Sequence, residues 1–184
     1  MSQLGQVVRM IKQTKPLSTL RTRIVAIDGL GGAGKTTLAH LVSKALCDCA
    51  VIHTDDFASW ENNLGWSQSL RDQVLEPLMI NKPAHYQRYD WLARERTEWV
   101  TVHPGDYVIL EGVSSSREQF RDALAATVWV ETPRAERLRR GLERDGEDAR
   151  DYWVQWMRDE DRYFEAERPD LLADVVGNGM IPWT

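Results

Sequence analysis

Only two cysteines occur among the 184 residues, Cys47 and Cys49, one residue apart. That count excludes a disulfide framework and a multi-cysteine zinc site. No apolar stretch reaches the ~20 residues that a membrane-spanning helix needs. Near the N-terminus Leu4, Val7, Val8 and Ile11 recur at helical spacing among polar residues, unlike the unbroken apolar core of a signal peptide. Basic tails are missing too: Lys and Arg number 23 against 28 Asp and Glu, a net charge of −5, which disfavours a nucleic-acid partner. Repeats and low-complexity tracts are absent. The expectation is a soluble cytoplasmic chain forming one domain over residues 1–184, with neither membrane nor nucleic acid as partner.

What is present is concentrated between residues 24 and 46. The apolar run Ile24-Val25-Ala26-Ile27 reads as a strand buried on both faces, and Leu38 to Leu46 reads as a helix. Between them Gly29 to Thr36 matches G-x-x-x-x-G-K-[ST], the phosphate-binding loop. Its glycines let backbone N–H groups turn inward around a polyphosphate, and the helix N-terminus adds partial positive charge beneath it. Gly29, Gly31, Gly32, Ala33, Gly34, Lys35, Thr36 and Thr37 are therefore the expected nucleotide contacts. Lys35 is placed to reach the β- and γ-phosphates, and the Thr36 hydroxyl to ligate Mg²⁺.

The rest of the chain alternates strands with helices, the pattern of a parallel α/β sheet covered on both faces. A helix is expected within residues 1–21, ended by Pro16, and a second strand at Ala50–His53. Further along, a helix is expected at Ser69–Ile80, an irregular aromatic stretch at Tyr86–Trp91 and an edge strand at Glu98–Val102. Tyr107–Leu110 and Thr127–Val130 read as strands and 116–125 as a helix. A helix from Pro133 is broken at Gly146, a long charged helix runs to Glu167, and Asp174–Val176 forms the last strand.

In open α/β sheets ligands sit beyond the carboxyl ends of strands. Asp55 and Asp56 follow the second strand there, and one of them is expected to orient an acceptor hydroxyl, the other to cap the next turn. Glu111 follows Tyr107–Leu110 at the position of a metal-binding acid, the alternative being a solvated strand-end carboxylate. Arg137, Arg140 and Arg144 fall at i, i+3 and i+7 on one helix face. They form either a phosphate clamp in a lid over about 134–150, with Arg144 contributing to catalysis, or a solvated face paired with Glu136, Glu143 and Glu147. Eight tryptophans is a high count. Trp60 and Trp66 either stack on a ligand or pack their loop down.

In order and spacing, these pieces resemble the uridine kinase family, with its nicotinamide riboside kinase and phosphoribulokinase relatives. Asp28-Gly-Leu-Gly-Gly-Ala-Gly-Lys-Thr-Thr-Leu-Ala resembles its phosphate loop, and Thr54-Asp55-Asp56-Phe57 its x-D-[DS]-F segment. Tyr89-Asp90-Trp91 is similar to its acceptor-pocket Y-D-[FY], Leu110-Glu111-Gly112 to its strand ending in E-G, and Arg137-Leu138-x-Arg140-x-x-x-Arg144-Asp145 to its lid. The resemblance implies a five-stranded parallel sheet with helices on both faces and a helical arginine lid. It implies an ATP- and Mg²⁺-dependent kinase acting on a small-molecule hydroxyl, a nucleoside first. It assigns the base to Asp55, puts Glu111 near the metal that Thr36 would also hold, and lines the acceptor pocket with Tyr89, Asp90 and Trp91; Asp56 and Arg94 are further candidate acceptor contacts. The family's acidic F-D-H-P stretch has no counterpart between residues 58 and 70, and Arg94 stands where the family has histidine. These departures leave a non-nucleoside or anionic alcohol as the alternative acceptor. A guanine-reading N-K-x-D is missing, since Asn81-Lys82-Pro83-Ala84 lacks the aspartate, which disfavours a nucleotide switch. Whether the chain acts as a monomer or a homodimer stays open.

Overall fold

A computed structural model describes residues 2–15 and 22–184. Its centre is β1 (Arg23–Asp28), whose five residues after Arg23 are all buried. Successive side chains point to opposite sides, so Ile24 and Ala26 join one apolar core while Val25 and Ile27 join another. Around it the sheet runs β2 (Ala50–His53), β5 (Tyr107–Glu111), β1, β6 (Leu124–Glu131) and β7 (Val175–Asn178). Every pairing is parallel. In this order β1 lies between β5 and β6, and the carboxyl ends of β1, β2 and β5 open at the same edge.

Helix α1 (Gln3–Gln13) is capped by the Ser2 hydroxyl, which accepts from the Gly5 amide, and it buries Val7 and Ile11 against α2 (Lys35–Ala45). The expected stop at Pro16 lies outside the described residues. The helix expected at 69–80 begins earlier: α3 (Ser67–Leu70) continues through a π turn at Arg71–Leu75 into α4 (Glu76–Met79). Pro77 has no N–H to return to the preceding turn, and widening of the backbone just before it accommodates that loss.

Two expectations are corrected. Residues 86–91 are not irregular, and 98–102 is not an edge of the sheet. All but Trp91, which starts the connecting turn, belong to β3 (Ala84–Asp90) and β4 (Glu95–Val102), an antiparallel hairpin of its own. The pairing slips between Gln87 and Tyr89, which hides the alternation in the sequence. The helix expected near 116–125 is reduced to one 3-10 turn at Glu118–Phe120, and β6 starts at Leu124. Here the backbone serves the buried Asp28 instead, which accepts from the Ser114 and Ser116 amides at 2.9 Å each.

Beyond β6 come α5 (Arg134–Asp145), α6 (Arg150–Glu167) and the short α7 (Pro169–Leu172). Gly146, at φ 92°, ends α5 as expected. Helices α5 and α6 meet where Gly141 faces Trp153. A Cβ on Gly141 would stand 2.4 Å from the indole, and the ring is held by its Nε1 donating to Asp145 at 2.9 Å. Gly141→Ala is therefore expected to destabilise the fold by about 1–3 kcal/mol through overpacking. That outweighs the ~1 kcal/mol that alanine gains over glycine in a helix. Urea unfolding measures it, and a variant as stable as the parent would mean that the two helices are not packed this closely. Among the described residues no helix is long and apolar enough to cross a membrane.

Candidate active site

The loop after β1 is shaped by two left-handed glycines, Gly32 at φ 77° and Gly34 at φ 98°. A Cβ on Gly32 would stand 2.5 Å from the Arg137 carbonyl oxygen, so the loop lies directly against α5. Gly34 then starts α2 with Lys35 in its first turn. Lys35 is 8 % exposed and donates to the Leu30 carbonyl at 3.2 Å. The loop is braced from below by Asp28, which is fully buried and also accepts from the Gly29 amide, Ser116 Oγ and the Tyr163 hydroxyl, each at 2.7 Å. Burial, then the Asp28 charge, pushes the Tyr163 phenol far above its ordinary range.

Strands β2 and β5 deliver their last residues side by side, with His53 in register with Glu111. Glu111 is buried and hydrogen-bonds His53 Nδ1 at 2.6 Å, and its other oxygen accepts from Thr36 Oγ1 at 3.2 Å. Burial alone would raise the Glu111 carboxyl, but His53, Lys35 and Thr36 together hold it below the usual carboxylate range. The Glu111 hydrogen bond raises His53, against the opposing effect of burial. His53 carried no signal that the sequence could show, because its role depends on strand pairing.

The adjacent aspartates part company. Asp56 is buried and turned to the hairpin, accepting from the Tyr86 hydroxyl at 3.1 Å and pairing with Arg88 Nε at 3.1 Å. Arg96 bonds the carbonyls of Asp56 and Phe57 at 3.1 and 3.0 Å, fixing the turn. Asp55 opens into a cavity of about 670 Å³ that also meets Lys35, Thr36, Glu111, Arg140 and Arg144. Water reaches Asp55, yet the protein crowded around it desolvates the carboxyl and raises its pKa, with Lys35 the strongest opposing influence.

The far side of this cavity is aromatic. Trp60, Trp91, Trp156 and Tyr152 touch in a ring, with successive centroids 5.5, 6.2, 5.8 and 4.6 Å apart. Two of their four polar ends are engaged. Trp60 Nε1 donates to the Trp91 carbonyl at 3.2 Å, and Trp156 Nε1 donates to Glu160. Burial, then Asp55, pushes the Tyr152 phenol up to about 12. Tyr152 and Trp156 went unnoticed in the sequence because their helix reads as a charged one.

The arginine face divides. Arg140 and Arg144 line the cavity. Arg140 Nε pairs with Glu136 at 2.8 Å, its Nη2 donates to the Gly179 carbonyl at 2.9 Å, and Arg144 Nε pairs with Asp145 at 2.7 Å. Arg137, expected beside them, is 5 % exposed and lies behind the loop, donating to the Thr132 carbonyl at 3.2 Å.

Of the expected acceptor residues only Trp91 lines the cavity. Tyr89 is buried, its hydroxyl without a hydrogen-bond partner among the described residues. Asp90 caps the hairpin turn, accepting from the Leu92 and Ala93 amides at 2.9 and 2.8 Å. Arg94, at φ 57° in that turn, lies with its guanidinium 5.2 Å from the Trp60 ring centroid. Trp66 is 3 % exposed and packs near Phe57 and Phe120, so it holds its loop down while Trp60 fronts the cavity.

The residues present suit a magnesium nucleotide. The Thr36 hydroxyl and the Glu111 carboxylate are two adjacent oxygen donors at the cavity floor. Mg²⁺ characteristically takes one or two such protein groups and fills the rest of its octahedron with phosphate oxygens and water.

Comparison with known proteins shows the family and the fold. A family model described as an AAA domain matches residues 25–170. The chain is 33 % identical over 150 residues to a uridine kinase of Lactobacillus johnsonii, covering 70 % of each chain. It is 27 % identical over 138 residues to a uridine kinase of Borrelia turicatae, covering 67 % of each. Among solved structures, a possible uridine kinase from Bacillus stearothermophilus superposes with a TM-score of 0.73 at 24 % identity, over 95 % of this chain and 97 % of that one.

Proposed function

The chain belongs to the uridine kinase-like family of P-loop kinases, and from that premise we propose that it transfers the γ-phosphoryl group of ATP, with Mg²⁺, to a hydroxyl of a small molecule, a nucleoside first. The observation that carries this proposal is the single cavity into which Asp55, Lys35, Thr36, Glu111, Arg140 and Arg144 all open, with an aromatic wall opposite them.

In the proposed reaction the loop residues 29–37 cradle the triphosphate. Lys35 exchanges its Leu30 carbonyl for phosphate oxygens. The acceptor lies against the wall of Trp60, Trp91, Tyr152 and Trp156, with its hydroxyl toward Asp55. Asp55 accepts the hydroxyl hydrogen bond, aims the oxygen in line with the phosphorus, and takes the proton late in the transfer. Arg140 and Arg144 neutralise charge on the phosphoryl oxygens as the bond to the ADP leaving group breaks. Bound Mg²⁺, held by Thr36 and Glu111, would shield the phosphate charge. Asp56 supports the base from behind, with Arg88 and Tyr86 as its partners. The buried Tyr89 ring packs edge-on against Trp91 at 5.2 Å and supports the wall from behind. Residues 134–150 serve as the lid, its tip beyond Gly141 closing while its base stays against the loop.

Arg88 is engaged by Asp56 and Glu98, and Arg94 lies over Trp60. Neither guanidinium faces the cavity, so an anionic acceptor gains no support from them. ADP release measured with MgATP and a panel of nucleosides, free sugars and polyols tests the proposal. The expected result is acceptor-dependent ADP release, strongest with a nucleoside. ADP release indifferent to every added alcohol would remove the kinase role.

A further inference from the structure

Glu160 has no part in the proposed transfer, yet it is 1 % exposed and touches three parts of the site. Its two carboxylate oxygens accept from the Gly31 amide at 2.9 and 3.1 Å. Trp156, a member of the aromatic wall, donates its indole N–H to the same carboxylate. Arg137 of α5 approaches it at 3.4 Å, both side chains being almost fully buried. The fit is tight: a Cβ on Gly31 would stand 2.8 Å from Glu160 Oε1 and 3.2 Å from the Trp153 ring. Gly31 borders the cavity and Glu160 does not. The carboxylate therefore grips the phosphate loop from outside the space that a triphosphate would fill.

We propose that Glu160 is a positioning residue for the phosphate loop: it fixes the Gly31 peptide from behind, so that the stretch from Gly32 to Thr36 is held open toward the cavity before any phosphate arrives. A glycine-rich loop is otherwise free to sample many backbone states, and each state lost on binding weakens affinity. Placing a carboxylate here has a large desolvation cost, which raises its pKa, and the charges of Lys35 and Arg137 with the Gly31 amide offset it. A carboxylate kept only to neutralise Arg137 would not need both oxygens on the Gly31 amide. This role rests on the proposed ATP site.

Two variants separate positioning from support of the fold. Glu160→Asp leaves a carboxylate opposite Arg137 but draws it back by one methylene, out of reach of Gly31. Glu160→Gln keeps the length, removes the charge and leaves Arg137 unpaired. MgATP affinity is read by calorimetry and folding by thermal unfolding. Glu160→Asp is expected to keep its melting temperature within a few degrees of the parent while its Kd for MgATP rises about tenfold, the loss of one charge-assisted hydrogen bond. Glu160→Gln, whose amide oxygen still reaches the Gly31 N–H, is expected to lose less affinity than Glu160→Asp but more stability, because it leaves the Arg137 charge unpaired. A Glu160→Asp protein that binds MgATP as the parent does would overturn the proposal, whatever happens to Glu160→Gln. Failure of the parent itself to bind MgATP would instead remove the nucleotide site on which the role depends.

Discussion

Lys35→Ala is expected to lower kcat by about a hundredfold or more, because charge-assisted contacts that strengthen in the transition state are worth a few kcal/mol each. Part of the effect comes from the position of the ammonium group. Lys35 is almost buried, and among the described residues its hydrogen-bond partner is the Leu30 carbonyl. Arg140 and Arg144 face the same cavity, but each is already paired, with Glu136 and Asp145. Folding should be affected little, since the apolar cores on either side of the sheet do not include Lys35. The Leu30 carbonyl left behind still accepts from the Ala33 amide at 3.1 Å. Steady-state kinetics with the accepted alcohol, beside a melting curve, checks both halves. A variant with near-normal kcat would sink the assignment of the loop.

Asp55→Asn is expected to reduce phosphoryl transfer by about 10²–10⁴-fold, the range for removing a positioned base, while MgATP still binds. Its stability should move in the opposite direction from its activity. Asp55 has a raised pKa in the folded chain because the protein crowded around it desolvates the charged form, with Lys35 opposing the shift. A raised acid adds stability only while it is protonated, and that contribution is lost as pH rises through the folded pKa. At neutral pH the charged Asp55 is thus a small liability, and asparagine relieves it. The same shift sets the pH profile. Activity of the parent should fall on the acid side as Asp55 takes up a proton, at a pH above the ~3.9 of an ordinary aspartate. An acid limb in kcat/KM that persists unchanged in Asp55→Asn, or an Asp56→Asn variant with the greater loss, would remove Asp55 from the role.

The legible parts of this molecule are those in which chemistry is written locally. The loop from Gly29 to Thr37, its flanking strand and helix, and the strand that ends at Glu111 each carry a pattern within a dozen residues. The parallel sheet follows from them. The failures arise where partners are distant in sequence. Nothing local says which of Asp55 and Asp56 turns inward; Tyr86 and Arg88, thirty residues on, decide it. Spacing put Arg137 with Arg140 and Arg144, but a carboxylate on α6 and a carbonyl at Thr132 hold it behind the loop. The helix missing at 116–125 yields to a buried aspartate almost ninety residues earlier. The aromatic wall draws on a loop, a hairpin turn and α6, so no window of sequence contains it.

That wall has a consequence for how the site tells ligands apart. Trp60 and Trp156 have committed their N–H groups to protein partners, so they present ring faces and withhold their donors. A flat ligand sliding across such a surface loses little, because dispersion attraction has no preferred register. Discrimination between one heterocycle and another then averages out along the wall. In the proposed reaction it would sharpen at the hydroxyl, where Asp55 would demand a particular reach and angle. Selection on this chain would thus change the preferred ring readily and the position of the phosphorylated oxygen with difficulty.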